Sequence, residues 1–204
     1  MEHTRNSITV RGSLVGLPEY SHENHGRIFY RFLLEVPRLS GVADLLPIIT
    51  DEQILNELDP SAGEMLTVTG QIRSHNQRSE QSRHLLIFIF ATTITVEDGE
   101  PINEVVLEGP LCREPTLRRT PLGRDICDIM LAVPRAFHRA DYLPCILWGR
   151  TAQELSVCHT RDWVRIYGRL QSRVYTKLTE FGSVERTAYE ISALQAEPME
   201  PEEE

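Results

Sequence analysis

The sequence predicts an all-β protein made of two tandem five-stranded barrels, each with one short helix. Two observations carry this prediction. The chain of 204 residues repeats itself at one spacing over most of its length, and a fixed period marks repeated structural units. Each copy also contains five short runs of apolar and β-forming residues bounded by turn residues, which are typical of strands. A copy of about 95 residues has the normal size of a domain.

The repeat begins with Asn6-Ser-Ile-Thr-Val-Arg-Gly12, which matches Asn103-Glu-Val-Val-Leu-Glu-Gly109 at a spacing of 97. The pairs that follow at this spacing are Leu14 and Leu111, Pro18 and Pro115, Glu35–Arg38 and Ala132–Arg135, and Pro47–Ile49 and Pro144–Ile146. After a single-residue insertion, Gly70 and Ser74 match Gly168 and Ser172. Chance would not hold one register over so long a span, so the chain contains two copies of one domain.

In the first copy we expect strands at Ser7–Leu14, Ile28–Val36, Leu45–Ile49, Met65–Ile72 and His84–Val96. A helix is predicted at Asp51–Leu58, because Thr50 and Gln53 have the spacing of a capping box. Turn residues such as Pro18 and Gly26 punctuate the first hairpin.

In the second copy the expected strands are Glu104–Leu111, Arg124–Val133, Asp141–Trp148, Trp163–Tyr175 and Arg186–Leu194. The helix is predicted at Thr151–Leu155, with Thr151 and Glu154 as the capping box. Five strands with a helix between the third and the fourth is the order of an OB-fold barrel. Residues 1–98 are thus predicted to be a diverged N-terminal OB-fold, 103–197 a C-terminal OB-fold, and 198–204 an acidic disordered tail.

The charge of the chain is distributed unevenly. The net charge is −9, but residues 1–100 carry −6 whereas residues 101–197 carry +1 and hold 12 arginines. Arginine both pairs with phosphates and stacks on bases, so the second copy is the better candidate for a nucleic-acid partner.

The four cysteines show no CxxC pair and no Cys/His ligand spacing, so no metal or other cofactor is expected. Free thiols in apolar runs and the lack of an apolar leader predict a cytoplasmic protein. No P-loop, nucleophile elbow or paired-carboxylate site is visible, so an enzyme is not expected.

The stretch WVRIYGRLQSRVY, from Trp163 to Tyr175, places aromatic and arginine side chains on alternate positions of one strand. Rings beside phosphate-neutralising charges suit a single-stranded nucleic acid. The alternative is an exposed strand face with ordinary β-forming residues. Two further alternatives concern the tryptophans: Trp148 could close the end of the barrel, and Trp163 could pack against the other copy.

Several blocks of the second copy resemble bacterial single-stranded DNA-binding protein. They are NEVVLEGPLCREPTLRRTPLGRDICDIMLAVPRAF, DYLPCILWGRTAQEL and WVRIYGRLQSRVY. The resemblance implies an OB-fold that binds single-stranded DNA in replication, recombination or repair. Its stacking residues would be Phe137, Tyr142, Trp148 and Tyr175, and its matching basic residue Arg173. Further candidates for the interface are Arg118, Arg119, Arg135, Arg165, Tyr167 and Arg169.

The first copy departs from this pattern. Its residues at the positions of Tyr142, Trp148 and Tyr175 are Leu45, Asp51 and about Gln77, so a structural or partner-binding role with weak or no DNA contact is expected. The alternative function for the whole chain is therefore an OB-fold scaffold within a replication, primosome or mobile-element complex. Recruitment of replication proteins through the tail is in doubt, because Glu202–Glu204 stand where the family has an apolar tip.

A homodimer with four barrels is the predicted assembly. The resemblance implies four OB domains working together, and two per chain make two chains sufficient. The opening strands, ITVRGSL and VVLEGPL, also favour a dimer, because an apolar strand at an uncovered sheet edge tends to pair with a strand of another chain. The competing outcome is that the two opening strands pair with each other inside one chain.

Overall fold

The structure, a computed structural model, describes residues 5–79, 82–179 and 182–200. The first copy folds into β1 (Asn6–Asn24), β2 (Arg27–Pro37), β3 (Ala43–Asp51), α1 (Glu52–Leu58), β4 (Met65–Ser79) and β5 (Ser82–Val96). The second copy folds into β6 (Ile102–Pro110), β7 (Thr116–Arg119), β8 (Asp125–Arg135), β9 (Arg139–Trp148), α2 (Gly149–Leu155), β10 (Trp163–Thr179) and β11 (Gly182–Met199). The predicted fold class, two tandem OB-fold barrels, is confirmed.

The first barrel closes through β1, whose first half pairs with β4 and whose second half pairs with β2. On the other side, β3 pairs in parallel with β5 at Ile48 and Ile89. A Cβ atom at Gly12 would collide with the carbonyl oxygen of Glu35 on β2, and one at Gly109 would collide with that of Ala132. The repeat keeps a glycine here because two backbones approach too closely for a side chain.

The second barrel follows the same path, with β9 and β11 paired in parallel at Cys145 and Ile191. A bridge between Leu111 and Leu131 brings β6 against β8. The short strand β7, which pairs with β8, was not predicted. All four of its side chains are exposed, so its sequence carries no alternation between buried and exposed positions.

The two opening strands pair with each other inside the chain. The antiparallel ladder between β1 and β6 runs from Asn6 opposite Leu107 to Arg11 opposite Ile102. The prediction that these apolar edges are open to a second chain is therefore wrong, because each of them is covered by the other copy. Buried side chains of both barrels form one contiguous core.

Two strands of each barrel continue beyond it as a two-stranded ribbon. We call residues 73–79 and 82–88 the first arm, and residues 171–179 and 182–190 the second arm. The β4–β5 ladder continues to Ser79 and Ser82, and the β10–β11 ladder continues to Thr179 and Gly182. Over the described residues, neither arm pairs with a third strand.

Both predicted capping boxes are wrong. The N-cap of α1 is Asp51, whose carboxylate accepts from the amide of Gln53, since Thr50 is still buried in β3. The helix α2 begins at Gly149 without a side-chain cap, and Glu154 instead accepts from Arg150 at 2.6 Å. Within the described chain, neither helix is long and apolar enough to cross a membrane.

The predicted tail also begins too early. Pro198 and Met199 belong to β11, opposite Val164 and Trp163. Proline lacks an amide donor, which is tolerated here because β11 pairs with β9 only near Ile191 and leaves this end as an edge. The remainder of the predicted tail, from 201 onward, lies outside the described residues.

Candidate nucleic-acid interface

The strand β9 presents two of the predicted stacking residues on its outer face. Tyr142 is 45% exposed and Trp148 is 41% exposed, whereas Leu143 and Leu147 between them are buried. Alternation along the strand separates the two sets. The indole Nε1 of Trp148 donates to Ser192 Oγ at 3.2 Å, which fixes the ring while leaving part of it open to a ligand.

Trp148 lies in a groove between the two copies, with a volume of about 870 Å³. We call it the joint groove. The second barrel lines it with Trp148, Arg124, Arg169 and Gln171, and the first copy with Arg38 and Leu39. The Nε of Arg169 is buried and has no hydrogen-bond partner in the described part of the chain. A half-exposed ring beside several arginines can accept a base and its phosphate.

The second arm carries Arg173 and Tyr175. The guanidinium of Arg173 lies over the Tyr175 ring, 5.8 Å from its centroid, a cation–π geometry. The side chain of Arg173 is mostly exposed and lies 4.0 Å from Glu190. Burial raises the pKa of Glu190, and the neighbouring charge of Asp128 adds to the effect.

The structure does not bring Arg165 and Tyr167 to the joint groove. Arg165 is engaged by the buried carboxylate of Glu108 at 2.5 Å and by Glu197 at 3.5 Å. Tyr167 lies in a separate depression beside Glu154. A bulge between Tyr167 and Gly168 interrupts the β10–β11 ladder at this point.

The remaining predicted residues lie on β7, at the end of β8 and in the turn between β8 and β9. Arg118 binds the carboxylate of Asp128 with two donors, and Arg119 lies 3.4 Å from Asp125. Arg135 pairs with buried Asp141 at 3.3 Å. Phe137 is 90% exposed at the tip of the β8–β9 turn. These arginines are partly neutralised, whereas Phe137 is open on most of its surface.

Trp163 packs against the other copy. The guanidinium of Arg5 lies 5.3 Å from the centroid of its ring. Trp163 lies at the start of β10, opposite Pro110 and Met199. In the sheet, β11 separates this strand from β9, which carries Trp148. Of the two roles considered for Trp163, the structure places it in the contact between copies.

The first barrel lines most of a second groove, of about 830 Å³, that was not predicted from the sequence. We call it the first-barrel groove. Its lining includes Phe29, Phe88, Phe90, Ile49, Leu86, Arg31, Arg73, His22 and His75, together with Arg135 and Tyr189 of the second copy. His22 stacks on Phe29 with centroids 4.9 Å apart, and Phe29 lies 5.9 Å from Phe90.

The phenylalanine rings of this groove lie on β2 and β5, whereas the first-copy residues that match the family's stacking positions lie on β3 and β4. In the second barrel, the β9–β11 register places Ser192 where the first has Phe90, and Glu190 where it has Phe88. Residues of β3 and β9 correspond at a spacing of 97, whereas residues of β5 and β11 correspond at a spacing of 102. The run LLIFIFA was the available signal for these rings.

The described residues contain no cluster of three or more His, Cys, Asp or Glu side chains that could hold a metal ion. An OB barrel with half-exposed rings beside arginines defines a class, the OB-fold proteins that bind nucleic acid through stacking and phosphate contacts. The comparisons with known proteins identify the group within this class.

The family model described as "Single-strand binding protein family" matches residues 102–199. The chain is 38% identical over 80 residues to Single-stranded DNA-binding protein B of Bacillus subtilis, covering 36% of this chain and 71% of that protein. It is 36% identical over 81 residues to Single-stranded DNA-binding protein A of the same organism, covering 36% of this chain and 47% of that protein. The chain belongs to the single-strand binding protein family.

The fold of both copies has a solved counterpart. The structure of wild-type single-stranded DNA binding protein from Thermus aquaticus matches with a TM-score of 0.79 at 20% identity, covering 98% of this chain and 95% of that one. A deletion mutant of the same protein matches with a TM-score of 0.78 at 21% identity, covering 97% of this chain and 98% of that one. At this identity the likeness shows the fold, including the tandem arrangement of the two barrels.

Proposed function

We propose that this chain is a non-enzymatic protein that binds single-stranded DNA with little sequence preference, mainly on the second barrel. The observation that carries the proposal is the joint groove, where the half-exposed ring of Trp148 lies beside Arg124 and Arg169. The described face offers stacking rings and phosphate partners without a cluster of base-reading amides. Bases of any sequence stack on such rings, each contributing about 1–3 kcal/mol.

The cations of the site set the salt dependence of binding. Each phosphate neutralised on a single strand contributes a slope of about −0.7 to the plot of log affinity against log salt concentration. Arg169 lines the joint groove beside Trp148, and its Nε has no hydrogen-bond partner in the described chain, so we expect its guanidinium to bind a phosphate. Family membership supports the same ligand, since the relatives are named for single-stranded DNA.

Titration of a fluorescent dT oligonucleotide over a series of salt concentrations tests the proposal. We expect tight binding at low salt, and Arg169→Gln should reduce the salt slope by about 0.7. Arg161→Gln, in an exposed loop outside both grooves, is the matched control and should leave the slope unchanged. Absence of binding by the unaltered chain at low salt would contradict the proposal and favour the scaffold function.

The scaffold alternative has one observation in its favour. The first-barrel groove is lined largely by aliphatic and half-buried aromatic side chains such as Ile49, Leu86 and Phe88. Apolar concave surfaces of this kind also bind protein segments. In this case the chain would act in a replication, primosome or mobile-element complex, and a pull-down from a lysate with and without added oligonucleotide would separate it from the first proposal.

We further propose that two chains assemble into a homodimer with four barrels. Since the opening strands pair with each other, the family resemblance alone supports this assembly. Sedimentation should give a mass near twice 23.3 kDa, whereas the mass of one chain would contradict it. A role in replication, recombination or repair in the cytoplasm is the matching biological setting, and four free cysteines support a reducing compartment.

A further inference from the structure

The second arm carries DNA-binding candidates on a ribbon that cannot hold itself in place. Beyond Gln171 the described ribbon consists of β10 and β11 alone. An isolated two-stranded hairpin is marginally stable in water. The position of Arg173 and Tyr175 therefore depends on the contacts that the first copy makes with the arm, at its root and at Arg186, which lies opposite Tyr175 and 3.1 Å from His84.

The root is fixed by the first copy. The backbone N–H of Ser172 donates to Asp44 Oδ1 at 2.6 Å, and its hydroxyl donates to the same oxygen at 3.0 Å. The carbonyl oxygen of Ser172 accepts from Arg38 at 2.8 Å. Asp44 is fully buried and also accepts two donors from Arg38, at 2.8 and 2.6 Å. Both backbone polar groups of Ser172 are thus bound by residues of the other copy.

A second contact from the first copy reaches the stacking strand. The backbone N–H of Tyr142 donates to Ser74 Oγ at 2.7 Å. The N–H of Ser74 donates to buried Asp141 Oδ1 at 2.7 Å, and Arg73 donates to Asp141 Oδ2 at 2.9 Å. This contact mirrors the first, because Asp44 and Asp141, and Ser74 and Ser172, are repeat counterparts.

We infer that Asp44 and Ser74 are positioning residues for single-strand binding, through which the first copy holds the rings of the second barrel in place. Asp44 is fully buried and acts through the two residues that it binds, Ser172 and Arg38. Ser74 acts through the backbone of Tyr142. The inference rests on the proposed function, and it gives the first copy a role in DNA binding that requires no contact with DNA.

The contact of Asp44 and Arg38 with Ser172 sets the fraction of chains in which the arm is correctly placed. When this contact is weakened, the arm samples positions in which Arg173 and Tyr175 are misplaced. The apparent affinity is then the intrinsic affinity multiplied by the fraction of chains that remain competent to bind. Asp44→Asn keeps an acceptor for Ser172 but removes the charge that holds Arg38. If the competent fraction falls to about one tenth, the dissociation constant rises about tenfold.

The test combines this variant with Tyr175→Ala in a double-mutant cycle, measured with a labelled dT oligonucleotide on the full chain. If Asp44 acts by positioning the arm, Asp44→Asn should weaken binding about tenfold in the unaltered chain but much less once Tyr175 is gone. An equal effect in both backgrounds would overturn the inference. Failure of the unaltered chain to bind would instead refute the proposed function.

Asn6→Ala is the matched structural control. Asn6 is buried and holds Ile72 of the first barrel through two hydrogen bonds, of 2.7 and 2.8 Å, but contacts neither arm anchor. It should lower the melting temperature while leaving the Asp44–Ser172 contact, and with it the effect of Asp44→Asn on affinity, unchanged below the transition. If Asp44→Asn fails to fold, Ser74→Ala decides in its place, since it removes the hydroxyl that accepts from the Tyr142 N–H at 2.7 Å. Binding by Ser74→Ala equal to that of the unaltered chain would then overturn the inference.

Discussion

Ile8 and Val105 face each other across the β1–β6 ladder, and each is the counterpart of the other in the repeat. The residues on either side pair reciprocally, with Ser7 opposite Val106 and Thr9 opposite Glu104. This register places a local two-fold axis between Ile8 and Val105. The two copies therefore meet as the subunits of an isologous dimer do, although they belong to one chain.

This ladder predicts that the two barrels unfold together. Ile8 is 1% exposed, so Ile8→Ala should destabilise the chain by about 2–5 kcal/mol and Ile8→Val by about 0.5–1.5 kcal/mol. Both tryptophans lie in the second copy. Urea unfolding followed by tryptophan fluorescence and by circular dichroism should therefore give coincident midpoints, both lowered by the substitution. A fluorescence midpoint that stays in place while the dichroism midpoint falls would show that the barrels unfold independently.

The two tryptophans should respond differently to DNA. Trp148 lines the joint groove, whereas Trp163 lies under Arg5. In Trp163→Phe the single remaining indole is Trp148, and stacking of a base on it should quench its fluorescence on adding dT oligonucleotide. Trp148→Phe is the control, in which the remaining signal from Trp163 should hardly change. Quenching confined to the chain that retains Trp163 would place the DNA elsewhere.

We expect the second barrel to contribute most of the binding free energy. Tyr142→Ala and Tyr175→Ala should each cost about 1–3 kcal/mol. Phe88 and Phe90 are half-buried in the first-barrel groove, so their replacement by alanine should cost less. Oligonucleotide titration at matched salt compares the two pairs, with Tyr20→Ala as an exposed ring outside both grooves. Equal losses from the two pairs would assign equal weight to both barrels.

Glu190 should make binding stronger as the pH falls. Burial raises its pKa, so it takes up a proton at a higher pH than an ordinary glutamate and ceases to compete with DNA for Arg173. The stability of the fold changes with pH in the same direction. Because the pKa of Glu190 is raised on folding, its contribution to the free energy of unfolding is fully present below the ordinary glutamate pKa and is lost as the pH rises through the raised value. Titrations between neutral and mildly acidic pH should show a gain that Glu190→Gln largely removes. A Glu190→Gln chain with an unchanged pH profile would exclude this carboxyl as the cause.

The sequence predicted the barrels because the repeat preserves residues with a local structural task. Asn6 and Asn103 each bind both backbone groups of a residue on a neighbouring strand, Ile72 and Leu170 respectively. A residue that makes the same local contact in both copies stays the same in both, so it can be recognised in the sequence as an identity between the copies. The second-barrel rings Tyr142 and Trp148 were predicted from the resemblance to the family and from their shared face of one strand, since the first copy has Leu45 and Asp51 at these positions.

The contacts between the copies could not be read in the same way. Asp44 and Ser172 are 128 positions apart, and only the β1–β6 register brings them together. The rings of the first-barrel groove were missed because an insertion shifts β5 relative to its counterpart. Arg165 looked available on its strand, but the buried partner Glu108 lies on a different strand, 57 positions away.

The β1–β6 ladder joins two halves that are connected by a covalent linker of a few residues. A pair formed in this way does not dissociate on dilution, because the second half is always present at a high local concentration. In a symmetric homodimer every substitution is made twice, so both faces must change together. Here a substitution alters one half only, which allows one barrel to keep its rings while the other exchanges them for a different lining. The single chain thus presents two different barrel surfaces, one always linked to the other in the same arrangement. The pair of barrels is therefore asymmetric, unlike a pair of identical subunits.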